Sequence, residues 1–167
     1  MKTSYNTVEI FTRSVQETEA LGERIGKFAT AGQCIALEGM LGTGKTQLVR
    51  GISRGASVAD IGLVNSPSYV LLNIYEAIPD NPDSKTVYHL DAYRVKDSDA
   101  FVAVGFSELL EQDGIIAIEW ASRVADLLPE EHLLVYGESL DDEVRCWQLT
   151  ARGPKSQILI NAILANQ

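Results

Sequence analysis

Hydrophobic and polar positions follow two periods along this chain, and the changes from one to the other mark its elements. Residues 9–11 (Glu-Ile-Phe) are short and strand-like and predict an edge strand. Ser14 stands three residues before Glu17, the spacing of a capping box. Ala20, Leu21, Ile25, Phe28 and Ala29 then share one helical face, and Gly32 stops that helix. Residues 34–37 (Cys-Ile-Ala-Leu) are apolar throughout, as a buried parallel strand requires. Leu48, Val49 and Ile52 return to helical spacing. Beyond a small-residue connection at 55–62, residues 70–75 and 86–90 read as strands flanking dense turn chemistry at 79–83. They predict an antiparallel hairpin inserted beside a parallel sheet. Residues 97–110 predict one or two helices broken at Gly105, and 114–118 (Gly-Ile-Ile-Ala-Ile) predict a central parallel strand. A short helix at 124–128 ends at Pro129, and strands at 132–137 and 144–149 pair across a turn at 139–142. After the break at Gly153 and Pro154, Ser156 is the expected cap of a last helix, apolar on nearly every side.

Between the strand at 34–37 and the helix that follows lies Gly39-Met40-Leu41-Gly42-Thr43-Gly44-Lys45-Thr46, which satisfies GxxxxGK[ST]. A triphosphate must be wrapped by backbone N–H groups along a path that side chains resist, and Gly39, Gly42 and Gly44 permit it. Lys45 then reaches the β- and γ-phosphates as a point charge, and the Thr46 hydroxyl ligates Mg²⁺. The helix N-terminus adds its partial positive charge. The bland alternative is a tight strand-to-helix turn that binds nothing. The apolar strand at 114–118 runs straight into Glu119, where a Walker-B-type carboxylate belongs. Without the glycine loop, a solvent-facing Glu is the simpler reading; with it, a Mg²⁺-linked role is expected. His89-Leu90-Asp91-Ala92-Tyr93-Arg94 gathers polar groups at a strand's C-terminal end, the edge where open α/β sheets place ligands. The expected architecture is a single domain, 1–167, of P-loop NTPase-like three-layer α/β form. It has a mostly parallel central sheet, an inserted antiparallel hairpin and flanking helices.

Composition narrows the partners. The net charge of −9 argues against a broad basic surface for nucleic acid, so any link to RNA is expected to run through partner proteins. No apolar run is long enough to span a bilayer and no signal-peptide core is present, so the expected location is cytoplasmic, away from membranes. Cys34 and Cys146 lie far apart in apolar stretches, which predicts buried free thiols.

Four stretches together, Gly39-x-Leu41-Gly42-x-Gly44-Lys45-Thr46, Asn65-Ser66-Pro67-Ser68-Tyr69, His89-Leu90-Asp91-Ala92-Tyr93-Arg94 and Ile118-Glu119-Trp120, resemble the TsaE (YjeE) ATPase family in order and approximate spacing. The resemblance runs from Ser14 to about Arg123. It implies a small Mg²⁺-dependent ATPase, weak alone and stimulated by partners. That enzyme acts with TsaB and TsaD in forming N6-threonylcarbamoyladenosine at position 37 of ANN-decoding tRNAs. It implies that Gly39, Leu41, Gly42, Thr43, Gly44, Lys45, Thr46 and Ser68 hold ATP. Thr46 and Glu119 are then the Mg²⁺ ligands, Asp91 the acidic residue of a switch-II-like segment, and Ser66 to Ser68 a switch-I-like segment near the γ-phosphate. Lys45, Asp91 and Glu119 are the implied catalytic group. Two positions depart from the family pattern: Met40 replaces the usual Asp, and Ser68 replaces Thr while keeping the hydroxyl.

For single residues plainer roles stand beside these. His89 on an apolar strand suits a hydrogen-bonded structural histidine, Asp91 a helix cap, and Arg94 a salt bridge or an internal arginine finger. Two rival functions are a small-molecule or nucleotide kinase and a nucleotide-stabilised interaction module without catalysis. The kinase needs an arginine-bearing lid, and the segment after Pro129 offers few arginines.

Overall fold

The two continuous apolar runs lie at the middle of the sheet. In the computed structural model, which describes residues 6–67, 71–103 and 105–167, the elements run in this order. They are β1 (Thr7–Thr12), α1 (Val15–Phe28), β2 (Cys34–Gly39), α2 (Lys45–Gly55), β3 (Leu72–Tyr75), β4 (Thr86–Asp91), α3 (Asp99–Ala103), α4 (Phe106–Leu109), β5 (Gly114–Glu119), β6 (His132–Ser139), β7 (Arg145–Arg152) and α5 (Pro154–Ala165). The strands form one sheet in the order β1-β7-β6-β2-β5-β4-β3. All six residues of β5 are buried, as their lack of polar positions before Glu119 demands.

The sheet is less parallel than expected. Strands β6, β2, β5 and β4 are mutually parallel, but β1–β7, β6–β7 and β3–β4 are antiparallel, so only three of the six described pairings are parallel. The reason is connection length. The turn between β6 and β7 is too short for a crossover and closes only a hairpin, and β1 then adds to the far edge of β7. The expected hairpin at β3–β4 is present, with β4 itself part of the parallel run.

Alternation along the strands divides the core in two. Ile35, Leu37, Ile115, Ala117, Leu133 and Val135 pack with Leu21 and Ile25 of α1, Val49 and Ile52 of α2, and Leu159 and Ile160 of α5. Cys34, Ala36, Leu90, Ile116 and Ile118 face the other way, onto Phe101, Phe106 and Val124. Helices α1 and α2 meet backbone to backbone. A Cβ on Gly26 would lie 1.9 Å from the Ile52 carbonyl, and one on Gly51 would lie 2.1 Å from that of Glu19. This close approach stands α2, and the loop that feeds it, firmly on the sheet.

Ser14 caps α1 by accepting from the Glu17 amide, while the Glu17 carboxylate takes the Arg13 amide, one residue earlier than the capping box predicts. Ser156 does not cap α5. The helix begins at Pro154, whose fixed φ suits the first position, and Ser156 is buried in the first turn, bonding Gly153 O and the Arg152 amide. The helix expected at 124–128 is a 3-10 segment, Ala121–Leu127. Both cysteines are buried free thiols, and burial pushes Cys34 up to about 12. No helix among the described residues is long and apolar enough to cross a membrane.

Candidate functional site

The glycine loop begins where β2 meets β6. Gly39 has φ 135°, and a Cβ there would lie 2.4 Å from the Gly137 carbonyl, so only glycine fits. The loop closes on itself through the Thr43 hydroxyl and amide, which donate to Met40 O at 2.6 and 3.2 Å. Gly44, at φ 106°, starts α2 with no side-chain cap, leaving the first amides of the helix for an anion. Lys45 is folded back: its Nζ donates to Gly39 O at 2.6 Å and Met40 O at 3.0 Å, and lies 4.2 Å from the centre of the Trp120 ring. Burial lowers its pKa, against the opposing pull of Glu119, Glu38 and Asp91. A buried ammonium held by carbonyls and a ring face is a cation waiting for a better anion.

The acidic residues come from neighbouring strands. The parallel register of β4 and β5 sets Asp91 beside Glu119. Thr46, at the start of α2, donates its hydroxyl to Glu119 Oε1 at 2.8 Å. Thr46, Asp91 and Glu119, from three separate segments, are thus brought to one cleft. Asp91 takes the Ser66 hydroxyl at 3.0 Å and the Tyr93 amide at 2.8 Å, so it caps a turn rather than a helix. His89 is fully buried and hydrogen-bonded, its Nε2 2.8 Å from Glu119 Oε1 and its Nδ1 3.0 Å from the Tyr75 hydroxyl. Trp120 adopts the left-handed region (φ 58°), a strained conformation for a non-glycine residue that ends β5 and turns its ring toward Lys45. Lys45, Thr46, Ser66, Asp91, Glu119 and Trp120 line a cleft of about 420 Å³ that also includes Leu41, Gly42, Gln47 and Arg94, with His89 and Tyr75 buried behind it. Met40 and Leu41 are exposed at the loop tip. Ser68 lies outside the described residues.

A second cavity, about 350 Å³, lies on the other flank of the loop and shares Gly42, Gly44 and Gln47 with the first. Arg13, Ser14, Val15 and Thr18 form one wall, and Asp142, Glu143 and Arg145 the other. Arg145 Nε donates to Thr43 O at 3.2 Å, and its Nη1 holds Asp141 O at 2.9 Å, tying the β6–β7 turn to the loop. Trp147 packs beneath Gly137 and donates to Thr12 Oγ1, which bonds Thr18. Sequence reasoning assigned nothing in this hairpin. The available signal was a buried Trp two residues from an Arg, opposite a strand glycine, and it acquires meaning only when β7 is known to lie two strands from β2.

Among the described residues no group of three His, Cys, Asp or Glu side chains is placed to hold a metal. Thr46 and Glu119, bonded to each other, and Asp91 lie together in the first cleft.

The family described as "Threonylcarbamoyl adenosine biosynthesis protein TsaE" matches residues 12–146. The tRNA threonylcarbamoyladenosine biosynthesis protein TsaE of Bacillus subtilis is 31% identical over 148 residues, 89% of this chain and 88% of that one. The protein of the same name from Treponema pallidum is 34% identical over 119 residues, 71% of this chain and 82% of that one. The crystal structure of YdiB from Bacillus subtilis superposes with a TM-score of 0.81 at 25% identity, covering 99% of each chain.

Proposed function

Because the chain belongs to the TsaE family, we propose that it is a P-loop ATPase supporting the formation of N6-threonylcarbamoyladenosine in tRNA. It works with TsaB and TsaD in the cytoplasm and meets tRNA only through them. The observation that carries the reading is the convergence of three distant segments: the retracted Lys45, the Thr46–Glu119 bond at 2.8 Å and Asp91 in register beside Glu119.

The residues suit a triphosphate and Mg²⁺. Gly39 and Gly44 hold positive φ values that other residues resist, a Cβ on Gly39 would strike the Gly137 carbonyl, and the helix start carries no competing cap. A donor set of one hydroxyl and one or two carboxylates fits Mg²⁺, which keeps several waters and phosphate oxygens. Thr46 and Glu119 would hold it, and it would neutralise charge developing between the β- and γ-phosphates. Lys45 leaves the carbonyls of Gly39 and Met40 for the phosphates. The amides at Leu41, Gly42, Thr43 and Gly44 line the path. The second cavity, between Ser14, Thr18 and Arg145, receives the nucleoside.

Both carboxylates are already engaged, Glu119 by Thr46 and His89 and Asp91 by Ser66 and Tyr93. Among the described residues no strong general base stands beside the loop, and turnover is slow until a partner reorders the 65–67 and 91–94 segments. The test is hydrolysis by the chain alone against hydrolysis with TsaB and TsaD, alongside tRNA modification. Stimulation by the partners, and loss of modification in Lys45→Ala and Glu119→Ala, are expected. Equal rates with and without partners, or full modification by both variants, would overturn the proposal.

A further inference from the structure

Behind Glu119 runs a line of buried polar groups that would touch neither phosphate nor metal. Glu119 Oε1 meets His89 Nε2 at 2.8 Å, and His89 Nδ1 meets the Tyr75 hydroxyl at 3.0 Å. That hydroxyl lies 3.0 Å from Asn65 O and 3.3 Å from the Asn65 amide, with Asn73 Nδ2 at 3.4 Å. The antiparallel register of β3 and β4 (Tyr75 opposite Val87, Asn73 opposite His89) makes Tyr75 and His89 diagonal neighbours, so their meeting is built into the sheet. The Tyr75 hydroxyl donates to Asn65 O and accepts from the Asn65 amide, which ties the line from Glu119 through His89 to the Asn65 backbone at both its donor and its acceptor. The line ends on backbone one residue before Ser66, whose hydroxyl holds Asp91. Val87 and Ala117, on the same face, show that apolar residues serve the packing there equally well.

Resting on the nucleotide reading above, we propose that His89 is a positioning residue: with Tyr75 it couples the orientation of Glu119 to the backbone at Asn65. Loading the phosphate cleft with Mg²⁺ and setting the 65–67 segment are then one event. Thr46 pulls on the carboxylate from the front, and His89 transmits its position to the rear.

The test uses the full chain and the slowly hydrolysed ATP analogue AMPPNP, titrated by calorimetry with Mg²⁺ and with EDTA. Amide hydrogen exchange is followed at Asn65 and Ser66. In the parent chain, Mg²⁺ tightens binding and slows exchange at these two amides. Tyr75→Phe and His89→Gln are expected to keep the affinity measured in EDTA and lose on the order of 10-fold of the gain from Mg²⁺, with no exchange response at Asn65 and Ser66. Tyr75→Phe removes one oxygen and carries the test if His89→Gln fails to fold. A Tyr75→Phe chain with a lowered melting temperature but the parent's Mg²⁺ gain and exchange response overturns the coupling alone. A parent chain that binds no AMPPNP in either buffer removes the nucleotide reading and the coupling with it.

Discussion

Three helices of 14, 11 and 12 residues cover one face of the sheet; the other carries two of 5 and 4 residues and a 3-10 segment of 7. The first face is closed by direct backbone contact between α1 and α2 at Gly26 and Gly51. The second rests on a few large side chains, chiefly Phe101 against Phe106 with ring centres 5.5 Å apart. The glycine loop stands on the first, and by strand alternation His89, Asp91 and Glu119 belong to it as well, in step with Val87, Ile115 and Ala117. Trp120 and Tyr93, their rings tilted with centres 5.0 Å apart, come from the chain as it leaves β5 and β4 for the thinner side. The loop thus stands on the thickly covered face, while Trp120 and Tyr93 lead to the thinly covered one.

That contrast can be broken or sharpened in several ways. The largest effect is expected from Gly26→Ala, because its Cβ meets a backbone carbonyl that no rotamer change can move. Urea unfolding should show a loss of about 3 kcal/mol. A smaller loss, on the order of 10-fold in AMPPNP affinity by calorimetry, is expected for Lys45→Ala, whose fold should remain intact because the side chain serves only loop carbonyls and the Trp120 ring. Native-state amide exchange should then separate the faces directly, with residues 99–109 opening well below the free energy at which α1 and α2 open. Uniform protection across both faces would contradict the division. Cys34 supplies a check by pH. Its folded pKa is raised to about 12, so the folded chain holds the thiol proton above the ordinary thiol range while the unfolded chain releases it. Stability should therefore fall as pH climbs from the ordinary thiol pKa toward that value, and a Cys34→Ala chain should lack that part of the slope. The smallest effect is expected from Val102→Ser on the exposed side of α3, within about 0.5 kcal/mol of the parent chain.

Much of the site was legible because its chemistry is local. Eight consecutive residues carry the loop, and an apolar strand running into Glu119 carries the carboxylate. The structure sets both at the C-terminal edge of the parallel strands, where a strand end has one place to go. The partial failure over sheet direction had the opposite origin. Residues 132–137 and 144–149 showed that they pair with each other, but not that the first also lies parallel to β2 and the second receives β1. His89 read correctly as a buried, hydrogen-bonded histidine, yet its partners on either side, 14 and 30 residues away, were not visible.

Spacing along the chain thus determined most of the elements and the glycine loop, since each depends on backbone periodicity or on side chains within one turn of each other, while Asp91 and the 66–68 segment were named by the family resemblance. Strand order alone decided the rest. It brought Arg145 to Thr43 across 102 residues and Trp147 to Thr12 across 135, and it let α1 and α2 touch through glycine. Such contacts have no local signature. They are fixed by which strands neighbour which, and that is settled by burying both faces of the whole sheet at once.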